Sequence, residues 1–517
     1  MPTGSRTANT LKNSRISLIF YVIVIFLNFF SRKVFIDVLG AEVLGLNTTI
    51  TNLLGLLNLS ELGISSAVAF TLYAPIARND RKAIQEIVSV QGWLYSIIAI
   101  IVIVGSVVMM AFFPMIFAKT GLPLWYAYAT FIVFLFSSLL GYFFNYKQVL
   151  LSASQKEYLN VISTSAPRLI KTVLQIIALQ FLHWGYISWL VIEIGSAVAI
   201  MLALNYSVHK NFAWLKASPR VGYRVHHNYS IIITKTKQLF FHKIAGFVLT
   251  QTSPLIIFAY ANLTLVAIYG NYMLIINGLM MLVNTLFNGV VPIIGNLVLE
   301  KDNEKERKVF GEYMVARLFI GAIFVHGLLV GGELFMTIWM GSDMSLPKVS
   351  FYLLSAIAYI QFTRPYDTFL YAYGRFEDIW APIAEGGINL GASVLLGYFF
   401  GLNGIFIGIL LSLVIVVLGW KPYFLATKGF NSSSFSLLAR YYIYTGFFFA
   451  VSYITSLVYP LSITIKSNYT LLNWTINMTL HSLIYISIAG VGLYLLDNNM
   501  RNFSRRITGI IFQKLKR

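Results

Sequence analysis

The sequence predicts an all-α integral membrane protein of about fourteen transmembrane helices, read as two six-helix lobes followed by two further spans. The first observation is composition: 58% of the 517 residues are hydrophobic and 11% charged, with a mean hydropathy of +0.74. Soluble domains carry about a quarter charged residues, so most of this surface must face hydrocarbon. The second is recurrence, with apolar runs of spanning length near 16–38, 43–72, 91–115, 122–146, 159–181, 185–208, 239–260, 264–298, 313–335, 348–372, 379–400, 403–426, 441–463 and 474–496. The third is charge: with both termini cytoplasmic, 30 of the 38 Lys and Arg fall in cytoplasmic segments, 5 outside and 3 within spans. That is the positive-inside asymmetry of an even number of spans.

The first run meets Arg32 and Lys33 instead of a small-residue cleavage site, so no removable signal peptide is expected. From Ile16 to Phe30 a helix rises about 22 Å, short of a roughly 30 Å core. The two charges therefore snorkel to the outer boundary or line an exit there, with Asp37 or Glu42 to neutralise them. The second run, read as one helix at 100° per residue, gathers Asn47, Thr51, Gly55, Asn58, Glu61 and Ser65 on one side. Such a stripe faces other helices or a wet cavity: packing is the plainer reading of any single residue, a cavity lining that of the whole stripe with its Glu.

Arg168 and Lys171, three apart in the fifth run, share a face with no acid nearby in sequence. Their counter-ion is either Glu193 of the next span or a substrate anion. The connection from His209 to Lys243 carries seven basic residues and no acid, which suits anionic lipid headgroups or gathers a phosphate-bearing substrate. Lys243 and Gln251 sit two turns apart on nearly one face of the seventh run, Lys243 serving equally as an interfacial anchor. Shifting the second run by about 223 residues lays Glu61 on Asn284 and aligns a second stripe, Gly270, Asn277, Asn284, Asn288 and Gly295. Paired halves of this kind are common in transporters.

The segment from Glu300 to Arg317 balances five acids with five bases and reads as a solvated helical connection. Arg364 and Asp367 flank Pro365 three apart and can pair with each other. The lobes are thus 1–208 and 239–426, joined by a basic cytoplasmic linker at 209–238. Residues 427–517 add two spans and a basic tail, with Phe503, Ile507, Ile510 and Ile511 among its charges as a membrane-surface segment.

There are no cysteines, which excludes disulfides, iron–sulfur clusters and thiolate zinc sites. No ATPase phosphate loop, nucleophile elbow or His/Glu metal spacing is present, and His226-His227 reads as solvated. Neither an enzyme nor a cofactor is expected. The formal charge of +19 follows from topology, so anionic membrane lipids, not nucleic acid, are the partners it implies. Glu61, Glu193 and Asp367 are the intramembrane acids suited to coupling a proton or sodium.

The stretch LGAEVLGLNTTITNLLGLLNLSELGISSAVAFTLYAPIARNDRKAI resembles the first-to-second span signature of bacterial polysaccharide exporters, the Wzx-like oligosaccharide flippases of the MOP superfamily. YFFNYKQVLLSASQKEYLNVIST and RPYDTFLYAYGRFEDIWAPIAEGGINLGASVLLGYFFGLNGIFIGILLS are similar to that family's fourth-to-fifth and tenth-to-twelfth span regions. The likeness runs from about residue 11 to 426. It implies a V-shaped pair of lobes, a central cationic cavity, alternating access, and an undecaprenyl-diphosphate-linked oligosaccharide moved between leaflets of the bacterial cytoplasmic membrane. A polysaccharide polymerase and a chain-length regulator are the partners that go with that role. Arg168, Lys171 and Arg364 would then contact diphosphate or acidic sugar, with Lys243, Gln251 and Arg32 along the path, and Asn47, Asn58, Asn277 and Asn284 would bond sugar hydroxyls. The alternatives are a flippase for peptidoglycan or teichoic acid precursors and a cation-coupled multidrug exporter of the MATE type. The exporter requires acids, not bases, to dominate the first-lobe cavity, with Glu61 foremost.

Overall fold

The computed structural model describes residues 3–505, apart from 62, 288–289, 301, 374–377, 379, 431–432, 460–469 and 503. Every described secondary element is helical, and each of the fourteen expected runs coincides with helix. Among the described residues, nine helices are individually long and apolar enough to cross a membrane. The count is lower than fourteen because several runs are interrupted or polar, and one hairpin reads as a single helix.

In order, α1 (Thr3–Leu39) stops at Gly40, whose φ of +88° suits only glycine and turns the chain into α2 (Ala41–Leu57). The second run is not one helix. A 3-10 turn at Asn58–Glu61 and Gly63, at φ +99°, separate α2 from α3 (Ile64–Ala77). α4 (Arg81–Ala111) is capped by Asp80, whose carboxylate accepts from Ala83 N at 3.0 Å. Its Ser89, Gln91 and Ser106 are buried while Ile100, Val104, Val107 and Val108 are exposed, the polarity of a lipid-facing helix. α5 (Leu124–Phe143), α6 (Glu157–Gln180) and α7 (Gly185–Asn211) follow, α6 packing against both α1 and α7.

The basic connection is an ordered element. α8 (Pro219–Val225) lies so close on α4 that a Cβ at Gly222 would meet the Ser89 carbonyl at 2.0 Å. Gln85 donates to the Trp214 carbonyl at 2.8 Å and Tyr229 to Glu86 at 2.7 Å, while Lys216, Arg220 and Arg224 point outward. α9 (Ser230–Tyr260) then packs on α2 and α3. Contacts divide the chain into Met1–Ala267 and Ile268–Arg517, so this seventh run belongs with the first unit.

α10 (Leu263–Phe287) leads into the second unit, continued by α11 (Val290–Leu299) and the 38-residue α12 (Asn303–Met340), which Asp302 caps. The segment expected to be solvated is partly interior: Glu306, Glu312 and Arg317 are all buried. Arg317 donates to the Phe362 carbonyl at 3.2 Å and Tyr313 Oη at 2.8 Å, so polar partners on neighbouring turns satisfy a charge that local composition assigned to water. α13 (Lys348–Phe362) and α14 (Pro365–Ala372) are split before Pro365, and α15 (Trp380–Ser412) reverses at Gly401, at φ +55°. The two arms touch backbone to backbone: a Cβ at Gly404 would stand 1.9 Å from the Leu396 carbonyl. Beyond Ser412 the helix continues with wide π turns to Phe430. α16 (Ser434–Val458) and α17 (Leu471–Leu496) pack on α12 and on each other. The amphipathic reading of the basic tail falls largely outside the described residues.

Candidate functional site

Within the first unit α2, α3, α5, α7 and α9 surround a cavity of about 660 Å³. Its lining includes Thr51, Leu54, Gly55, Asn58, Glu61, Gly63, Ser65, Phe134, Ser137, Ser138, Glu193, Phe247 and Gln251. Five of the six residues in the second-run stripe therefore face one space, although the helix breaks between them. The break helps to form the wall: the 3-10 turn and Gly63 expose backbone beside the cavity, where irregular chain is tolerable at membrane depth.

Glu61 is held rather than loose. Tyr95 Oη donates to its Oε1 at 2.8 Å and lies 2.5 Å from Ser65 Oγ, which also receives Gln91 Nε2 at 3.4 Å. Tyr142 donates to Asn58 Oδ1 at 2.8 Å and meets the Tyr95 ring edge-on at 5.5 Å. Glu193, on the opposite side of the sequence stripe, uses both oxygens: Lys171 Nζ lies 3.0 Å from Oε1 and Gln175 Nε2 3.1 Å from Oε2. Of the two counter-ions open to Lys171, the structure holds Glu193. Among the described lining residues of this first-unit cavity there are two carboxylates, Glu61 and Glu193, and no cation. Arg168, one turn from Lys171, is exposed, and its guanidinium has no ion partner among the described residues.

The other expected site residues are dispersed. Asn47 is buried off the cavity: its Oδ1 accepts from Tyr186 Oη at 2.6 Å, and Tyr186 also bonds Thr130, so Asn47 ties α2 to α7 and α5. It is the one stripe residue outside the cavity lining, its Oδ1 being engaged by Tyr186. Arg32 is half-buried and reaches the Ala267 carbonyl at 3.4 Å, while Lys33 pairs with Asp37 at 2.7 Å. Gln251 lines the cavity; the Lys243 side chain lies outside the described residues. In the second unit Asn277 and Asn284 are exposed along α10, and Asn288 lies outside the described residues.

Arg364 and Asp367 form a closed network. Nε of Arg364 is 2.6 Å from Asp367, its two terminal nitrogens are each 3.5 Å from Glu385, and Lys421 bonds the other Asp367 oxygen. Two cations and two carboxylates cancel there. The residues sequence reasoning missed are Tyr95, Tyr142, Gln91 and Gln175, which hold the wall, and Phe134, Ser137, Ser138 and Phe247, which form it. Only the adjacent serines in an apolar run carried a local signal; the tyrosines acquire their roles through contacts far apart in sequence.

No protein-family model matches the sequence, and no curated protein matches it. Among solved structures, an inward-facing multidrug resistance MATE family transporter of the MOP superfamily is similar with a TM-score of 0.59 and 13% identity, over 80% of this chain and 98% of that one. Lipid II flippase MurJ, in an inward closed conformation, is similar with a TM-score of 0.65 and 13% identity, over 92% and 99%. The chain shares the all-α fold of these two structures. The MATE likeness leaves a fifth of the chain uncovered and the MurJ likeness less than a tenth, so the fold here extends beyond the length shared with the MATE structure.

Proposed function

We propose that this protein is a flippase of the bacterial cytoplasmic membrane, carrying undecaprenyl-diphosphate-linked oligosaccharide from the inner to the outer leaflet by alternating access for surface polysaccharide synthesis. The carrying observation is the cavity's chemistry. Hydroxyl and amide groups of Thr51, Asn58, Ser65, Ser137, Ser138 and Gln251 stand beside the rings of Phe134 and Phe247 in about 660 Å³. Neutral hydrogen-bonding groups next to aromatic faces suit sugar rings, whose edges are polar and whose faces are apolar. Arg168 is the cation free to meet the diphosphate. The fourteen helical runs support a cargo with a long lipid tail, since MurJ is similar over nearly the whole chain. The positive charge of the connecting segments supports a cytoplasmic location for both termini.

A second reading, a cation-coupled exporter, is favoured by one observation: Glu61 and Glu193 are the charged groups of the described lining. Within the flippase reading Glu61 is the coupling carboxylate, because it is an acid held by Tyr95 on a wall open to the cargo. The test is the purified protein in vesicles preloaded with undecaprenyl-diphosphate oligosaccharide in one leaflet. The flippase reading expects lectin-accessible sugar to appear on the other side. Protein-dependent efflux of lipophilic cations with no sugar translocation would establish the exporter instead.

A further inference from the structure

Helices α12, α16 and α17 enclose a polar cluster that the cavity does not use. His326 of α12 and His481 of α17 are both buried, with Nε2 of His326 2.9 Å from Nδ1 of His481. Nδ1 of His326 lies 2.7 Å from Ser452 Oγ on α16, and Tyr485 stacks on the His326 ring at 4.0 Å and 10°. Nε2 of His481 is buried and has no hydrogen-bond partner among the described residues. The titratable groups packed around the pair are Tyr359 of α13, Tyr459 at the end of α16 and Tyr485 of α17. Each tyrosine hydroxyl is engaged elsewhere: Tyr359 with Thr445, Tyr459 with Asn477, Tyr485 with the Phe448 carbonyl. Apart from the two rings themselves, no charged side chain acts on the pair among the described residues, and the backbone carbonyls of His481 and Tyr459 face the His481 ring.

We propose that His326 and His481 form a site for one proton, taken up at Nε2 of His481 and shared between the two rings. The hydrogen bonds allow this without rearrangement. In the neutral tautomers that the site requires, His481 Nδ1–H donates to His326 Nε2, and His326 Nδ1–H donates to Ser452 Oγ, which leaves the His481 Nε2 lone pair open. A proton arriving there from water makes His481 an imidazolium whose Nδ1–H still donates to His326. Transfer of that Nδ1 proton moves the charge to His326, where Ser452 accepts from it. Desolvation opposes a charge at this depth, and two rings and a hydroxyl to spread it over are what offset the cost. A second proton is excluded, since it would set two cations with ring centres 4.9 Å apart. The same bonds tie α16 and α17 to α12, and a charge on the pair strengthens them without changing their partners. A role in coupling transport to a proton gradient rests on the transport reading above; the binding of the proton does not.

The experiment is a pH titration, from 8.5 to 4.5, of the full-length protein in lipid nanodiscs with ¹⁵N-labelled histidine, following the imidazole nitrogens. The chain has seven histidines, and loss of signals in His326→Gln or His481→Gln assigns the pair, either variant sufficing if the other fails to fold. The proposal expects both rings to move with one shared midpoint and a total uptake of one proton. Ser452→Ala should lower that midpoint by about one pH unit, because it removes the acceptor of the charged form. Two rings that stay neutral throughout, or that titrate independently to two protons, overturn it. No cargo is present in this measurement, so failure of the flippase reading and failure of the proton site are read separately.

Discussion

At the residue scale, the charges divide into those that cancel and those that remain available. Arg364 has two carboxylate neighbours and Asp367 two cationic ones. Arg364→Ala should therefore destabilise the fold by about 3 kcal/mol, leaving Glu385 buried without its partner, and a fall in the thermal midpoint in detergent checks this. An unchanged midpoint with lost transport would instead make Arg364 a cargo contact. Glu61→Gln keeps an oxygen for Tyr95 to donate to while removing the charge, so the folded protein should persist and transport should fall at least tenfold with its ion dependence abolished. Transport rates across imposed proton and sodium gradients measure it. The pairing of Arg364 with Asp367 was legible from spacing alone, and so was the choice before Lys171. What spacing did not reveal is which alternative holds, because Glu193 of α7 reaches Lys171 and Gln175 of α6 only after the two helices pack.

At the element scale, helical periodicity located the runs well and their interruptions poorly. Pro167 and Pro254 lie inside continuous helices, whereas the chain breaks at Asn58–Gly63 and reverses at Gly401 without a proline. A glycine at φ +99° is nonetheless a sharp requirement, and Gly63→Ala should cost about 1–2 kcal/mol through backbone strain beside the cavity. Thermal unfolding of the variant against Gly55→Ala, where an added methyl meets only the Phe247 ring at 3.3 Å, separates strain from crowding. Gly404→Leu should be harsher, because the helical arms around Gly401 already touch at their backbones, and loss of the monodisperse protein from size-exclusion chromatography is its expected signature. Local composition also misled at α12, where dense charge suggested water and Glu306, Glu312 and Arg317 are inside. Burial there follows from partners on other turns and helices, which no window of sequence contains.

At the scale of the molecule, composition and the recurrence of apolar runs made the membrane class and the helical runs legible, since these depend on sums along the chain and not on individual contacts. The cavity was legible in part: five stripe residues face it, but the aromatic and serine wall from α5 and α9 appears only on folding. Absence of cysteine allows the orientation to be measured with single introduced thiols. Cysteines at Lys216 and Arg220 should react with an impermeant reagent only from the cytoplasmic side, and one at Lys119 only from outside. The central claim is that the cavity moves a lipid-linked glycan. Its most direct test is the leaflet distribution of undecaprenyl-diphosphate oligosaccharide in cells depleted of this protein and lacking any redundant flippase. The account predicts accumulation on the cytoplasmic face with loss of surface polysaccharide; an unchanged distribution would contradict it and make Glu61-dependent export of small cations the function to pursue.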